Sequence, residues 1–139
     1  EIPQRGTIVA TIADKDKDEA VPILEDFAAM GFQLVATEGT ARALRDHGVE
    51  VKTVNKYREG SHNIVDLIRE GKVDFVVNTL THGRKQFSDG FHIRRAAVEL
   101  NVPCLTSLDT LRVVQKVIQE GERISTMEIK SLQEYVAER

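Results

Sequence analysis

The sequence predicts an α/β domain, a parallel sheet of five strands with helices packed on both faces. Three observations predict it. Short runs rich in Val and Ile alternate with longer stretches of helical spacing. Those runs are apolar on both faces instead of alternating toward water. Each then ends in polar residues. Strand and helix in regular alternation call for parallel strands joined by right-handed crossovers.

Thr7 to Ala13 is the first expected strand, followed by Phe32 to Ala36, Val51 to Val54, Asp74 to Asn78 and Pro103 to Thr106. After the first, Ala20, Ile23, Leu24, Phe27 and Met30 make a helical stripe, with Pro22 near its first turn and Gly31 closing it. Thr40 to His47 is expected as the second helix, with Thr40 as N-cap and Gly48 past its end. Asn63 to Glu70 supplies the third, turning Ile64, Leu67 and Ile68 inward ahead of Gly71. Phe91 to Leu100 and Leu108 to Gln119 supply two more. A last helix, Glu128 to Val136, packs through Ile129, Leu132 and Val136.

The 139 residues fit a single domain spanning 1-139, 41% apolar and 29% charged, the balance of a globular protein. No apolar run reaches the ~20 residues that cross a bilayer, and no leader pattern opens the chain. A cytoplasmic domain without membrane contact is expected. Glu1 to Arg5 lack an initiator Met and read as a cut in a linker, so the domain is expected to be a fragment of a longer chain. A net charge of −3 argues against a nucleic-acid partner. Charge is uneven, however. From Thr79 to Arg95, the basic Arg84, Lys85, Arg94 and Arg95 stand against Asp89 alone, a local excess of 4 − 1 = +3 that could help attract an anion. The single Cys104 excludes an internal disulfide and a cysteine zinc site, and its apolar segment marks it as inert.

Ligands of open parallel sheets bind beyond the carboxyl ends of the strands. Those ends carry Asp14 to Lys17, Thr37 to Thr40, Asn55-Lys56, Asn78-Thr79 and Thr106-Ser107. Thr37-Glu38-Gly39-Thr40 is the most informative, a short turn opening directly into a helix. Gly39 lets the backbone approach a ligand closely, while hydroxyls and helix N-terminal N–H groups can donate to an anion. A capping Thr after a Gly turn is also common in plain folded domains. Lys17 and Lys56 tip the balance toward a phosphate pocket by supplying the neutralising charge. Asp14, Asp16, Asp18 and Glu25 have the spacing of a calcium loop, but Glu19 stands where that loop needs Gly. No G-x-G-x-x-G or Walker sequence is present, and the four histidines lack ligand spacing.

The chain resembles a known family. The residues that carry the resemblance are Lys17, Gly31-Phe32, Ala36 to Thr40, Val54-Asn55-Lys56, Glu59-Gly60, His62-Asn63-Ile64, Val77-Asn78-Thr79 and Ile93 to Ala97. In that order and spacing they resemble the C-terminal allosteric domain of the carbamoyl-phosphate synthetase large chain, within the methylglyoxal-synthase-like superfamily. The resemblance implies a Rossmann-like three-layer fold and a domain that binds an effector and catalyses nothing itself. It implies that Lys17, Thr37, Thr40 and Lys56 hold the effector's phosphate beside Gly39 and Asn78, and that Asp89 and Ile93 meet the nucleoside. The effector implied is UMP as inhibitor, with phosphoribosyl pyrophosphate or IMP as activator. The parent enzyme implied is the glutamine-hydrolysing ligase of pyrimidine and arginine biosynthesis. That enzyme uses ATP with Mg or Mn and carries neighbouring synthetase domains and a small glutaminase subunit. Leu80 replaces a second Thr of some relatives, and Cys104-Leu105-Thr106 stands where ornithine-activated relatives carry Tyr-Asp-Thr.

Two other functions compete. Methylglyoxal synthase, acting on dihydroxyacetone phosphate, needs a carboxylate base. By resemblance that base belongs in the third-helix approach, where this chain reads Glu59-Gly60-Ser61-His62 and places Ser61 at its position. A phosphorylation receiver needs an Asp after the third strand and a Lys after the fifth. This chain has Asn55-Lys56 and Thr106-Ser107 there.

Overall fold

A computed structural model describes residues 6–80 and 84–137, with the backbone alone at 84–87, 122 and 124–137. Five strands form one sheet: β1 (Gly6–Thr11), β2 (Phe32–Ala36), β3 (Lys52–Thr53), β4 (Phe75–Asn78) and β5 (Cys104–Leu105). Their order is β3-β2-β1-β4-β5, and every pairing is parallel. Five helices alternate with them: α1 (Lys17–Ala29), α2 (Glu38–Asp46), α3 (Ile64–Arg69), α4 (Arg84–Glu99) and α5 (Leu108–Ala137). A single 3-10 turn, Asp14–Asp16, leads into α1.

The sheet is buried on both faces, which is why its strands read as unbroken apolar runs. Successive residues of β1 show it. Ile8 and Ala10 pack with Leu24 and Phe27 of α1, Leu44 of α2 and Leu111 of α5. Val9, between them, packs on the other side with Ile64 and Ile68 of α3 and with Ala96 and Ala97 of α4. Phe27, Phe32 and Phe75 meet edge to face, with centroids 5.4 to 5.9 Å apart. Phe32 and Phe75 begin β2 and β4, so this cluster lies at the amino edge of the sheet.

Several expectations are corrected. The edge strands β3 and β5 are two residues each, and Lys52 and Thr53 are exposed, since an edge strand has one neighbour to cover it. α1 begins at Lys17, which puts Pro22 in the second turn, tolerated there on a solvent-facing position. The N-cap position of α2 is Thr37, not Thr40, which lies buried in the first turn. α4 starts seven residues before the expected Phe91 and takes Asp89 and Gly90 into the helix. The last two expected helices are one, running through an exposed Gly121. Glycine costs a helix only ~1 kcal/mol against Ala, so one glycine does not by itself end a helix; the side chains of Ile129, Leu132 and Val136 lie outside the described residues. Asn63, expected as the first residue of the third helix, is instead its N-cap, while Gly31 (φ 101°) follows the end of α1 as expected. Glu1 to Arg5 and His82 lie outside the described residues, as do the side chains of Arg84 and Lys85. Among the described residues no helix is long and apolar enough to cross a membrane.

Candidate functional site

The strand order turns between β1 and β4, and a cleft of about 480 Å³ opens there at the carboxyl edge of the sheet. It gathers every residue expected at the site: Lys17, Thr37, Gly39, Thr40, Lys56, Asn78, Asp89 and Ile93.

Its floor consists of buried polar side chains at strand ends. Thr37, Thr40, Asn78 and Thr79 are between 3% and 6% exposed. The Thr40 hydroxyl accepts from the Ile12 N–H at 3.0 Å, and the Thr79 hydroxyl from the Ala13 N–H at 2.7 Å. A hydroxyl that accepts still has its own hydrogen to give. The Thr37 hydroxyl reaches only Thr11 Oγ1, at 3.4 Å. The Thr40 and Thr79 hydroxyls therefore keep a hydrogen to give, and the one Thr37 gives to Thr11 is held only by that long contact.

The end of α2 adds to it. Thr37 occupies the cap position, but its side chain makes no capping bond. The first N–H turned back into the helix is that of Ala41, onto the Thr37 carbonyl at 2.8 Å. The N–H groups of Glu38, Gly39 and Thr40 thus point out of the helix end. Lys17 lies over that end. A Cβ on Gly39 would sit 3.2 Å from the Lys17 ammonium, so glycine is what admits the cation so closely. A cation against the positive end of a helix is unfavourable by itself. An anion held between the ammonium and the N–H groups resolves the conflict.

Lys17 also meets the Asp14 carboxylate, which is 94% exposed. The Lys17 hydrogen bond and charge hold the Asp14 carboxyl below the usual carboxylate range, and Lys56 acts in the same direction. Lys56 itself is exposed, and its N–H donates to Glu59 at 2.6 Å. The loop that carries it is organised by Asn63, whose amide donates to the Tyr57 and Gly60 carbonyls at 3.1 and 2.8 Å. From the same loop Arg58 donates to Asp89 and to Ser88 on α4, both at 2.9 Å. Tyr57 stacks on His92 of α4 with centroids 4.2 Å apart. Asp89 therefore forms a wall of the cleft while paired with Arg58.

Neither Ser61 nor His62 lines the cleft, and both are exposed. Burial pushes the Cys104 thiol up, with Arg94 pulling the other way, so the thiol stays protonated at neutral pH. Among the described residues no group of His, Cys, Asp and Glu is placed to hold a metal ion.

Thr11, Tyr57, Thr79 and Arg94 also line the cleft, outside the set expected to touch the effector. Thr79 follows Asn78 at a strand end and was visible as such. Arg94 was not. Its place depends on α4 starting early enough to set Gly90 one turn before it.

Fold and cleft together define an open parallel α/β domain with a donor-rich pocket at its topological switch point. The chain belongs to the MGS-like domain family, whose model matches residues 19–106. It is similar to the crystal structure of methylglyoxal synthase from Elizabethkingia anophelis NUHP1, at 25% identity and a TM-score of 0.64, covering 82% of this chain and 79% of that one. It shares its fold with the crystal structure of ForH, at 23% identity and a TM-score of 0.58, covering 86% and 82%.

Proposed function

We propose that this domain binds a phosphorylated nucleotide and regulates a larger enzyme without catalysing a reaction itself. One observation carries the reading. The Lys17 ammonium is packed against the open N–H end of α2, over a floor of buried hydroxyls and an amide with donors to spare. That arrangement suits a phosphate dianion. Thr37, Gly39, Thr40 and Asn78 would surround the phosphate with Lys17, Lys56 would neutralise it from the loop, and Asp89 and Ile93 would meet the nucleoside. The resemblance to the allosteric domain of carbamoyl-phosphate synthetase names UMP first, and IMP and phosphoribosyl pyrophosphate beside it. It also names the parent: a large chain with ATP-dependent synthetase domains and a small glutaminase subunit. The domain would act by binding its effector more tightly in one state of that enzyme than in another, a coupling of typically ~1–3 kcal/mol.

The structural likeness to a methylglyoxal synthase favours a second reading. Two features weigh against it. Ser61, at the expected place of the base, is exposed and away from the cleft. Both carboxylates that line the cleft, Asp14 and Asp89, are already paired with a cation. Calorimetric titration with UMP, IMP and phosphoribosyl pyrophosphate, next to an assay for phosphate release from dihydroxyacetone phosphate, separates the two. Saturable effector binding without turnover is expected. Turnover by the unaltered chain overturns the regulatory reading.

A further inference from the structure

The buried amide at the end of β4 has a fixed orientation, and α4 fixes it. Asn78 is 6% exposed, and Arg94 Nη1 donates to its Oδ1 at 3.0 Å. A guanidinium has only hydrogens to give, so the atom it meets must be the carbonyl oxygen and not the nitrogen. The amide nitrogen, with two hydrogens, is thereby turned to the opposite side. None of the hydrogen bonds described uses it, yet among the described residues no side-chain polar atom is sealed from solvent without a partner. It therefore opens into the cleft that Asn78 lines.

Gly90 stands one helical turn before Arg94. A Cβ there would lie 2.7 Å from Arg94 Nη1 and 3.1 Å from Asn78 Oδ1. The first distance is shorter than real side chains tolerate, so any residue but glycine pushes the guanidinium off the amide. This accounts for a glycine inside a helix that would be better formed without one.

We propose that Arg94 is a positioning residue, with Gly90 as its clearance, that locks the Asn78 amide as a double donor facing the ligand. The cleft at this point then accepts an oxygen that can only receive hydrogen bonds, a phosphate oxygen, and rejects a donor. The proposal rests on the phosphate-binding reading above. It assigns Arg94 an effect exerted through Asn78.

The test is a double-mutant cycle on UMP affinity in the full chain, measured by calorimetry. Arg94→Met is expected to weaken UMP by about tenfold, the scale of a lost charge-assisted hydrogen bond. In an Asn78→Ala background the same change should then cost less than about twofold. Equal losses in both backgrounds overturn the proposal, because Arg94 would then act on the ligand directly or on the fold. Gly90→Ala gives a second route should Arg94→Met not fold. It should weaken UMP while holding or raising thermal stability, and unchanged affinity overturns the proposal. If the unaltered chain binds no UMP, the effector reading fails, but the orientation is still testable. The Asn78 side-chain amide resonances of the ligand-free protein should move with Arg94→Met, and resonances that stay in place contradict it.

Discussion

Thr40 and Thr37 look interchangeable in a Gly-Thr turn, yet their hydroxyls have different duties. The Thr40 hydroxyl accepts from the buried Ile12 N–H and ties α2 to the chain leaving β1. Thr37 makes only a long contact with Thr11. Replacing Thr40 with Val strands a buried N–H, which costs ~1–3 kcal/mol. Thr37→Val removes a donor facing the cleft and should cost less than ~1 kcal/mol of stability. Urea unfolding and UMP calorimetry on the two variants check this. Thr40→Val is expected to lose stability and affinity together, whereas Thr37→Val is expected to lose affinity alone. The pair Asp14–Lys17 adds a pH dependence of known sign. The Asp14 carboxyl sits lower in the folded chain than in the unfolded one, so its contribution is present above the unfolded value and vanishes as pH falls through the folded one. Because the carboxylate is fully exposed, solvent screening keeps that contribution small.

At the scale of elements, the loop between β3 and α3 depends on one side chain. Asn63 caps α3 through Val65 and Asp66, closes a capping box, and holds the Tyr57 and Gly60 carbonyls. Asn63→Ala should cost ~1–2 kcal/mol from the lost cap. It should also loosen the loop that carries Lys56 and Arg58, seen as faster amide exchange in that loop and weaker UMP binding. How much of this was legible in sequence followed burial. β1, β2 and β4 are covered on both faces and stand out as apolar runs. β3 shrinks to Lys52–Thr53 because an edge strand shares its side chains with water. The strand-end residues Lys17, Thr37, Gly39, Thr40, Lys56 and Asn78 could be read because an open parallel sheet brings such ends together. Arg94 could not, since its role appears only when α4 extends back past Gly90, and local propensity reads that glycine as a loop. The N-cap position given to Thr40 is held by Thr37, whose side chain makes no capping bond, because the helix starts a residue earlier than the Gly suggests.

Across the whole molecule, aromatic packing and the polar cleft occupy opposite edges of the sheet. The phenylalanine cluster lies at the amino edge, and the cleft at the carboxyl edge where β1 and β4 part. Substitutions on the cleft rim are therefore separated from the core packing at the amino edge. The β3–α3 loop and α4, which flank the cleft, are joined by Arg58 to Asp89 and by the Tyr57–His92 stack. A ligand that touches Lys56 and Asp89 thus bears on both at once. Phosphate is the anchor of the proposed ligand. The most direct measurement is the phosphorus resonance of UMP titrated with the chain, with uridine binding measured in parallel by calorimetry. A saturable shift of the phosphorus line is expected, lost in Thr37→Val, with much weaker binding of uridine. A phosphorus line that stays in place while uridine and UMP bind equally would contradict it.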